Sequence, residues 1–146
     1  MIKSQHTAKR FSKEAQLTAP VVRFMRTLGY RIITEELPFY EYRIDLYGFS
    51  KRNDTTFAVE LKLSDWRRAL EQAMMYQLCS DHVYVAMPET VALRVDQSQF
   101  ATSGVGLIGV QTSGGCSLLI HPSQHSETRH FYRQSQIDYL KDYASA

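Results

Sequence analysis

Two carboxylates and an ammonium group lie within two short apolar stretches of this chain. Asp45 lies in YRIDLYG (42–48), and Glu60 and Lys62 lie in FAVELKL (57–63). Hard divalent cations prefer oxygen ligands, and a bound cation can activate water for attack on a phosphate. Carboxylates are disfavoured in strands and are rarely buried without a partner, so the position of Asp45 favours a functional role. A glutamate and a lysine on the wet face of an ordinary strand are the alternative interpretation.

Both stretches alternate in side-chain character with the period of a β-strand. In the second stretch, one side of the strand carries Phe57, Val59, Leu61 and Leu63, and the other carries Ala58, Glu60 and Lys62. In the first stretch, Tyr42, Ile44 and Leu46 oppose Arg43, Asp45 and Tyr47. Two adjacent strands of this kind bury an apolar face and bring Asp45, Glu60 and Lys62 together on the other. The polar segment 50–55 predicts the turn between them.

A helix is predicted over about residues 65–78, directly after the second strand, with Ser64 and the following aspartate as its N-cap signal. Its packing face recurs at helical spacing and consists of Trp66, Ala69, Leu70, Ala73, Met74 and Gln77. Gln72 and Tyr76 lie four residues apart along the edge of that face, and Arg68 lies one turn earlier. These side chains can contact phosphate oxygens or a metal-bound water, although helix flanks also carry such residues for solubility or packing.

The order D-(x14)-E-x-K, followed by a helix with Q-x-x-x-Y, resembles the PD-(D/E)XK nuclease superfamily, and the Gln–Tyr pair resembles its RecB-like branch. The resemblance spans about residues 12–90. It departs at Ile44, where the motif has a proline that carries no chemistry. The resemblance also places a glutamate on the first helix, and Glu14 is the candidate there, in a helix that ends at Gly29. A charge that favours the helix dipole is the alternative for this glutamate.

The resemblance implies a metal-dependent nuclease that hydrolyses DNA phosphodiester bonds in repair, recombination or restriction and defence. The catalytic residues that it implies are Asp45, Glu60, Lys62, Gln72, Tyr76 and Glu14. Asp45 and Glu60, with the backbone carbonyl of Leu61, would bind one or two Mg²⁺ or Mn²⁺ ions. Lys62 would orient the attacking water or offset charge in the transition state. The Gln–Tyr pair would position the phosphate or the water network, and the glutamate of the first helix would add a second-metal ligand or a water contact.

Basic residues around this site are candidates for contact with the phosphate backbone, although the formal net charge is only +2. The candidates in the strands, the turn and the second helix are Arg43, Lys51, Arg52, Arg67 and Arg68. A further cluster near the N-terminus consists of Lys9, Arg10 and Lys13. A solvated protein face carries such clusters more commonly than a nucleic-acid interface does.

The remaining patterns complete an α/β fold with a restriction-endonuclease-like core. The further predicted elements are a strand from Arg31 to Glu36 ended by Pro38, a buried central strand over 82–88, a helix over about 90–100, hairpin strands over 104–110 and 116–122, and a helix from Ser123 with Phe131, Ile137 and Leu140 inward. The mixed central sheet is flanked by helices in the order αβββαβ, followed by a C-terminal β-hairpin and helix. We expect one domain over 1–146, with its core over about 12–90 and an extension over 91–146.

Composition excludes several other classes of protein. The chain has no apolar run of membrane-spanning length and no apolar N-terminal stretch, which predicts a cytoplasmic protein with no membrane partner. Its two cysteines cannot supply the four ligands of an iron–sulfur cluster. The alternative functions are a catalytically silent nucleic-acid-binding module and an accessory subunit of a larger DNA-processing complex, whose partner protein supplies targeting. The sequence leaves open a homodimer, the choice between DNA and RNA, and the preference for single strand, duplex or junction.

Overall fold

The computed structural model describes residues 10–123 and 128–145. Its strands are β1 (Ile32–Phe39), β2 (Tyr42–Ser50), β3 (Thr55–Leu61), β4 (His82–Pro88), β5 (Gly106–Val110) and β6 (Cys116–Ile120). A 3₁₀ turn (Glu14–Leu17) precedes the helices α1 (Thr18–Thr27), α2 (Trp66–Tyr76), α3 (Glu89–Ala92), α4 (Gln97–Ser103) and α5 (His130–Ser145). No helix within these described ranges is long and apolar enough to cross a membrane.

One mixed sheet holds the six strands in their chain order. β1, β2 and β3 pair antiparallel, β3, β4 and β5 pair parallel, and β6 returns antiparallel to β5. Between parallel strands the chain crosses over through α2 and then through α3 and α4, as parallel pairing requires. The predicted α/β fold with a mixed central sheet and flanking helices is confirmed.

Helices cover both faces of the sheet, and each face has its own apolar core. On one face, α1 packs Val21 and Met25 against Phe57 and Val59 of β3. On the other, α2, α4 and α5 pack against a second cluster that includes Ala58. The two faces of β3 therefore alternate as predicted, and the next residue on the α2 side after Ala58 is Glu60.

Strand β2 departs from the predicted alternation at Asp45. Ile44 packs in the same cluster as Tyr47, whereas Leu46 packs on the opposite face. The expectation that Ile44 and Leu46 share a face is therefore wrong. The break lies opposite Glu36 of β1, which interrupts the β1–β2 pairing and has a φ of 54°. A residue in the left-handed region turns its own strand locally, and both strands change faces together at this position: Leu37 packs with Ile44, and Ile33 packs with Leu46.

Other elements differ from prediction at their ends. β1 continues through Pro38 to Phe39, because β1 is an edge strand, where a proline is tolerated. Helix α2 begins after Asp65, as expected, but this residue has a φ of 54° and its side chain makes no capping hydrogen bond. Met74, predicted on the packing face of α2, is 45% exposed, while Tyr76 is buried in its place.

Differences in the C-terminal half concern the weakly patterned segments. The helix predicted over 90–100 is two short helices, α3 and α4, separated by Val95 at the bend. Helix α5 begins at His130 rather than at Ser123, and residues 124–127 lie outside the described part of the chain. Ile137 and Leu140 face inward as predicted, but Phe131 is 75% exposed.

A buried charge network fastens α5 to the start of β3 and β4. The Asp81 carboxylate is almost fully buried, and its Oδ2 accepts from the backbone N–H and the hydroxyl of Thr56 at 2.9 and 3.1 Å. Arg133 of α5 donates to the same oxygen through Nε at 3.0 Å and to Oδ1 of exposed Asp54 through Nη2 at 3.1 Å. Because removal of one partner leaves a buried charge uncompensated, this network stabilises the docked helix.

Arg133→Ala should lower the free energy of unfolding by about 2–3 kcal/mol, because Asp81 loses its only charged partner in this network. Asp54→Asn removes the exposed half of the network and should cost less than about 1 kcal/mol. Urea unfolding followed by circular dichroism measures both values. Equal losses in the two variants would contradict the assignment of the stabilisation to the buried pair.

Candidate active site

Strands β2 and β3 separate at the point where the two predicted carboxylates lie. The last paired residues are Leu46 and Val59. Asp45 and Glu60 are the neighbouring residues of the two strands just beyond that pair. At this fork, Oδ2 of Asp45 accepts a hydrogen bond from the backbone N–H of Leu61 at 2.8 Å. If the two strands continued to pair, the backbone of β2 would accept the hydrogen bond from this N–H of β3. Here the side chain of Asp45 accepts it instead. The fork fixes the Asp45 carboxylate between the two strands.

Glu60 is held from the opposite side by helix α2. Its side chain lies on the α2 face of the sheet and is 6% exposed. The buried Tyr76 hydroxyl donates to Oε1 of Glu60 at 2.9 Å. The ring of Tyr42 packs edge-on against that of Tyr76, with centroids 6.1 Å apart. Gln72, half-buried, lies one turn before Tyr76 on the same helix. The structure therefore brings the tyrosine of the predicted Gln–Tyr pair into direct contact with Glu60, and the contact of Gln72 with the site stays a prediction.

Lys62 and Glu14 approach the fork from the end of β3. The backbone N–H of Lys62 donates to the carbonyl of Ala86 in β4 at 3.0 Å. Its Nζ lies 4.0 Å from Oε2 of Glu14, at the start of the 3₁₀ turn. Among the described residues, no three His, Cys, Asp or Glu side chains are grouped closely enough to hold a metal ion. Glu14 therefore joins the site through Lys62, and its role as a metal ligand stays a prediction.

The two carboxylates at the fork are electrostatically frustrated. Burial raises the pKa of Glu60 to about 8, and the charge of Asp45 adds to the rise against the opposing effects of Tyr76 and Lys62. Burial likewise raises the pKa of Asp45 to about 6, although the hydrogen bond from Leu61 opposes the shift. The Asp45 charge thus contributes to the raised pKa of Glu60, whereas the pKa of Asp45 rises through burial and the charges of Glu14 and Glu36, against a hydrogen bond with Glu60.

Asp45 and Glu60 are the two residues of the fork that could hold a divalent cation. Carboxylate oxygens suit Mg²⁺ and Mn²⁺, and a cation between Asp45 and Glu60 would offset their mutual repulsion. One oxygen of each carboxylate is already held by a protein donor, the N–H of Leu61 or the hydroxyl of Tyr76. Such hydrogen bonds orient metal-binding groups in advance. The contribution of the Leu61 carbonyl stays a prediction.

The structure separates the predicted phosphate-contacting residues into two groups. Arg43 is exposed two residues before Asp45, and Arg67 and Arg68 are exposed at the start of α2, beyond the end of β3. Lys51 and Arg52 lie in the turn at the other end of β3, about 20 Å away along a strand of this length. The turn pair is therefore not part of the site. Of the N-terminal cluster, Lys9 lies outside the described residues.

A cavity at the C-terminal ends of β3, β4 and β5 contains polar residues that the sequence patterns did not identify. It lies next to Leu63 and is lined in part by Glu89, Arg94 and Gln111. These residues come from α3, the segment after it and the turn that follows β5. No motif connects them, because only the parallel pairing of β3, β4 and β5 brings their segments to the same end of these strands.

Solved structures of other proteins resemble this fold, but no family model and no curated protein matches the sequence. A protein of unknown function from Silicibacter pomeroyi has a TM-score of 0.70 at 17% identity, over 91% of this chain and 87% of that chain. A repair endonuclease from Pyrococcus abyssi has a TM-score of 0.47 at 15% identity, over 70% of this chain and 49% of that chain. The first likeness shows a shared fold, and the second is too low to carry an argument.

Glu60→Gln should make the stability of the protein less sensitive to pH. A carboxyl with a raised pKa binds more protons in the native state than in the unfolded chain between its ordinary value of 4.5 and about 8. Wild-type stability therefore falls as the pH rises through this window. In EDTA, the variant should lose about 2 kcal/mol less than wild type between about pH 5 and pH 8.5.

Urea unfolding at both pH values checks this expectation, with Glu41→Gln, an exposed carboxyl on the β1–β2 turn, as the matched control. The control should follow wild type. A Glu60→Gln protein with the same pH dependence as wild type would show that the buried pair carries no such repulsion.

Proposed function

We propose that this protein is a Mg²⁺- or Mn²⁺-dependent nuclease of the PD-(D/E)XK type, RecB-like branch, which hydrolyses DNA phosphodiester bonds. The observation that carries the proposal is the fork, where Asp45 accepts from the N–H of Leu61 and so lies beside Glu60. A half-buried and a buried carboxylate from neighbouring strands, placed side by side with a lysine at the strand end, suit metal-assisted hydrolysis better than a purely structural role, because the desolvation and repulsion of two adjacent carboxylates oppose folding.

Each residue at the fork would have a distinct task. Asp45 and Glu60 would hold the cation, and Tyr76 would keep Glu60 in position through its 2.9 Å hydrogen bond. A bound divalent ion would polarise the phosphate and lower the pKa of a coordinated water. Lys62, 22% exposed at its side chain, would orient that water or offset charge that develops on the phosphate. Gln72 would contact the phosphate or the water network.

The wider role follows from what such a site would act on. DNA is the proposed partner, and repair, recombination or restriction and defence are the processes in which such cleavage would serve. Arg43, Arg67 and Arg68, exposed around the end of β3, would contact phosphates on either side of the cleaved bond. A targeting partner protein and a homodimer belong to the same proposal.

Asp45→Asn and Lys62→Met should each reduce Mg²⁺-dependent DNA cleavage by at least about 100-fold, because each removes a charge that acts on the reacting phosphate. Cleavage of labelled single strand, duplex, flap, four-way junction and matched RNA, with Mg²⁺, Mn²⁺ or EDTA, measures this. Lys141→Met, an exposed lysine on α5, is the matched control and should cut like wild type. Undiminished cutting by Asp45→Asn would refute the proposal, and metal-independent binding without cutting would favour the silent binding module.

Tyr76→Phe should raise the Mg²⁺ concentration that gives half-maximal cleavage by about 10-fold, because Glu60 loses the donor that orients it. The maximal rate at saturating Mg²⁺ should change less than the half-saturating concentration. Tyr139→Phe, at a tyrosine 46% exposed on α5, controls for loss of a hydroxyl. An unchanged metal requirement in Tyr76→Phe would show that the hydrogen bond does not prepare the metal site.

A further inference from the structure

A cavity of about 630 Å³ opens at the edge of the sheet where β3, β4 and β5 end. We call it the β4–β5 cavity. Its lining begins at Leu63, the residue that follows Lys62, and includes Pro88 at the end of β4 and Val110 at the end of β5. The cavity and the candidate active site therefore adjoin through the main chain of one short segment.

The lining combines cationic groups with an apolar floor. Arg10 and Arg94 are both exposed and place two guanidinium groups on the lining. Phe11, Leu63 and Val110 supply the apolar surface. Guanidinium groups pair well with phosphate oxygens, and an aromatic and aliphatic surface accepts the face of a nucleobase. The chemistry of the lining thus matches both parts of a nucleotide.

A polar pair gives the cavity groups that can contact a base edge. Nε2 of Gln111 donates to Oε2 of Glu89 at 3.3 Å, which orients the amide toward α3. The amide oxygen and its second N–H bond make an acceptor and a donor, the combination that a base edge needs. With Arg10 and Arg94 against Glu89, the ionised side chains of the lining carry a net positive charge, which complements an anionic ligand.

We propose that the β4–β5 cavity binds an unpaired nucleotide next to the scissile phosphate, so that the substrate is DNA that is single-stranded at this position. This inference rests on the proposed nuclease function. A strand whose phosphate lies at Lys62 reaches the cavity with its neighbouring nucleotide, because Leu63 links the two places. A base within a duplex is stacked and paired, and can enter such a cavity only after it is extruded, which costs free energy that an unpaired base does not lose.

Binding of a labelled oligonucleotide in EDTA tests the proposal without any dependence on cleavage. Fluorescence anisotropy would compare a 12-nucleotide single strand with the blunt duplex of the same sequence. Arg94→Gln should weaken single-strand binding about 10-fold and leave duplex binding nearly unchanged. Arg31→Gln, an exposed arginine before β1 at the opposite end of the sheet, should leave both unchanged. Melting temperatures confirm that the variants are folded.

A second variant blocks the cavity without removal of charge. Thr112 is exposed on the lining, in the turn after β5, and Thr112→Trp would occupy the space of a base. It should also weaken single-strand binding. 2-Aminopurine should be placed at each position of the oligonucleotide in turn. At one position its fluorescence should increase on binding, and that increase should disappear in Thr112→Trp.

Several outcomes would overturn the proposal. Equal weakening of single strand and duplex by Arg94→Gln would show only general attraction to phosphates. Undiminished binding by both variants would show that the cavity is not used. Competition by free thymidine monophosphate as strong as that of the oligonucleotide would make the cavity a site for free nucleotides. Wild-type protein that shows the predicted binding and never cuts would refute the nuclease function and leave the cavity assignment intact. Cutting without a preference for single strands would refute the cavity assignment and leave the nuclease function intact.

Discussion

The hydrogen bond from the Leu61 N–H to the Asp45 carboxylate is the contact on which the candidate site depends. It exists because β2 and β3 stop pairing one residue earlier, and it satisfies a backbone donor that the fork would otherwise leave unpaired. The same contact places a second carboxylate beside Glu60, where burial and repulsion raise both pKa values. Because the Asp45 side chain replaces a main-chain acceptor for the Leu61 N–H, the same contact produces both the geometry and the electrostatic cost of the site.

The sequence predicted that Asp45 and Glu60 meet, but only half of the reason for their meeting. Strict alternation in β3 placed Glu60 on the α2 side correctly. For β2, alternation predicted that Asp45 would oppose Ile44 and Leu46 together, whereas these two lie on opposite faces. The break lies opposite the left-handed Glu36 on the neighbouring strand. The alternation of residue types in β2 does not mark this position, so sequence periodicity could not show it.

The sequence could not predict which residues outside the motif lie near the site, because this depends on where the strand ends lie in the folded sheet. Lys51 and Arg52 were grouped with the site because they lie between the two motif strands in the chain, yet a turn and a strand end are separated by the full strand. Arg94 and Gln111 lie far from the motif in the chain and next to it in space, because parallel strands end at one edge. Helix α2 was predictable since it follows the motif strand directly, although Tyr76 rather than Met74 is buried on its packing face, where it contacts Glu60.

The chain order of the strands lets the sheet assemble as it is synthesised, each strand beside its predecessor. The charge of Asp81 is an exception to this sequential assembly. Asp81 is buried at the start of β4, and its cation, Arg133, comes 52 residues later. A nascent chain that has completed the sheet but not yet released α5 would carry an uncompensated carboxylate in its interior. Docking of the last helix therefore completes the charge balance at the start of β4, and the sheet reaches its full stability only with α5 in place.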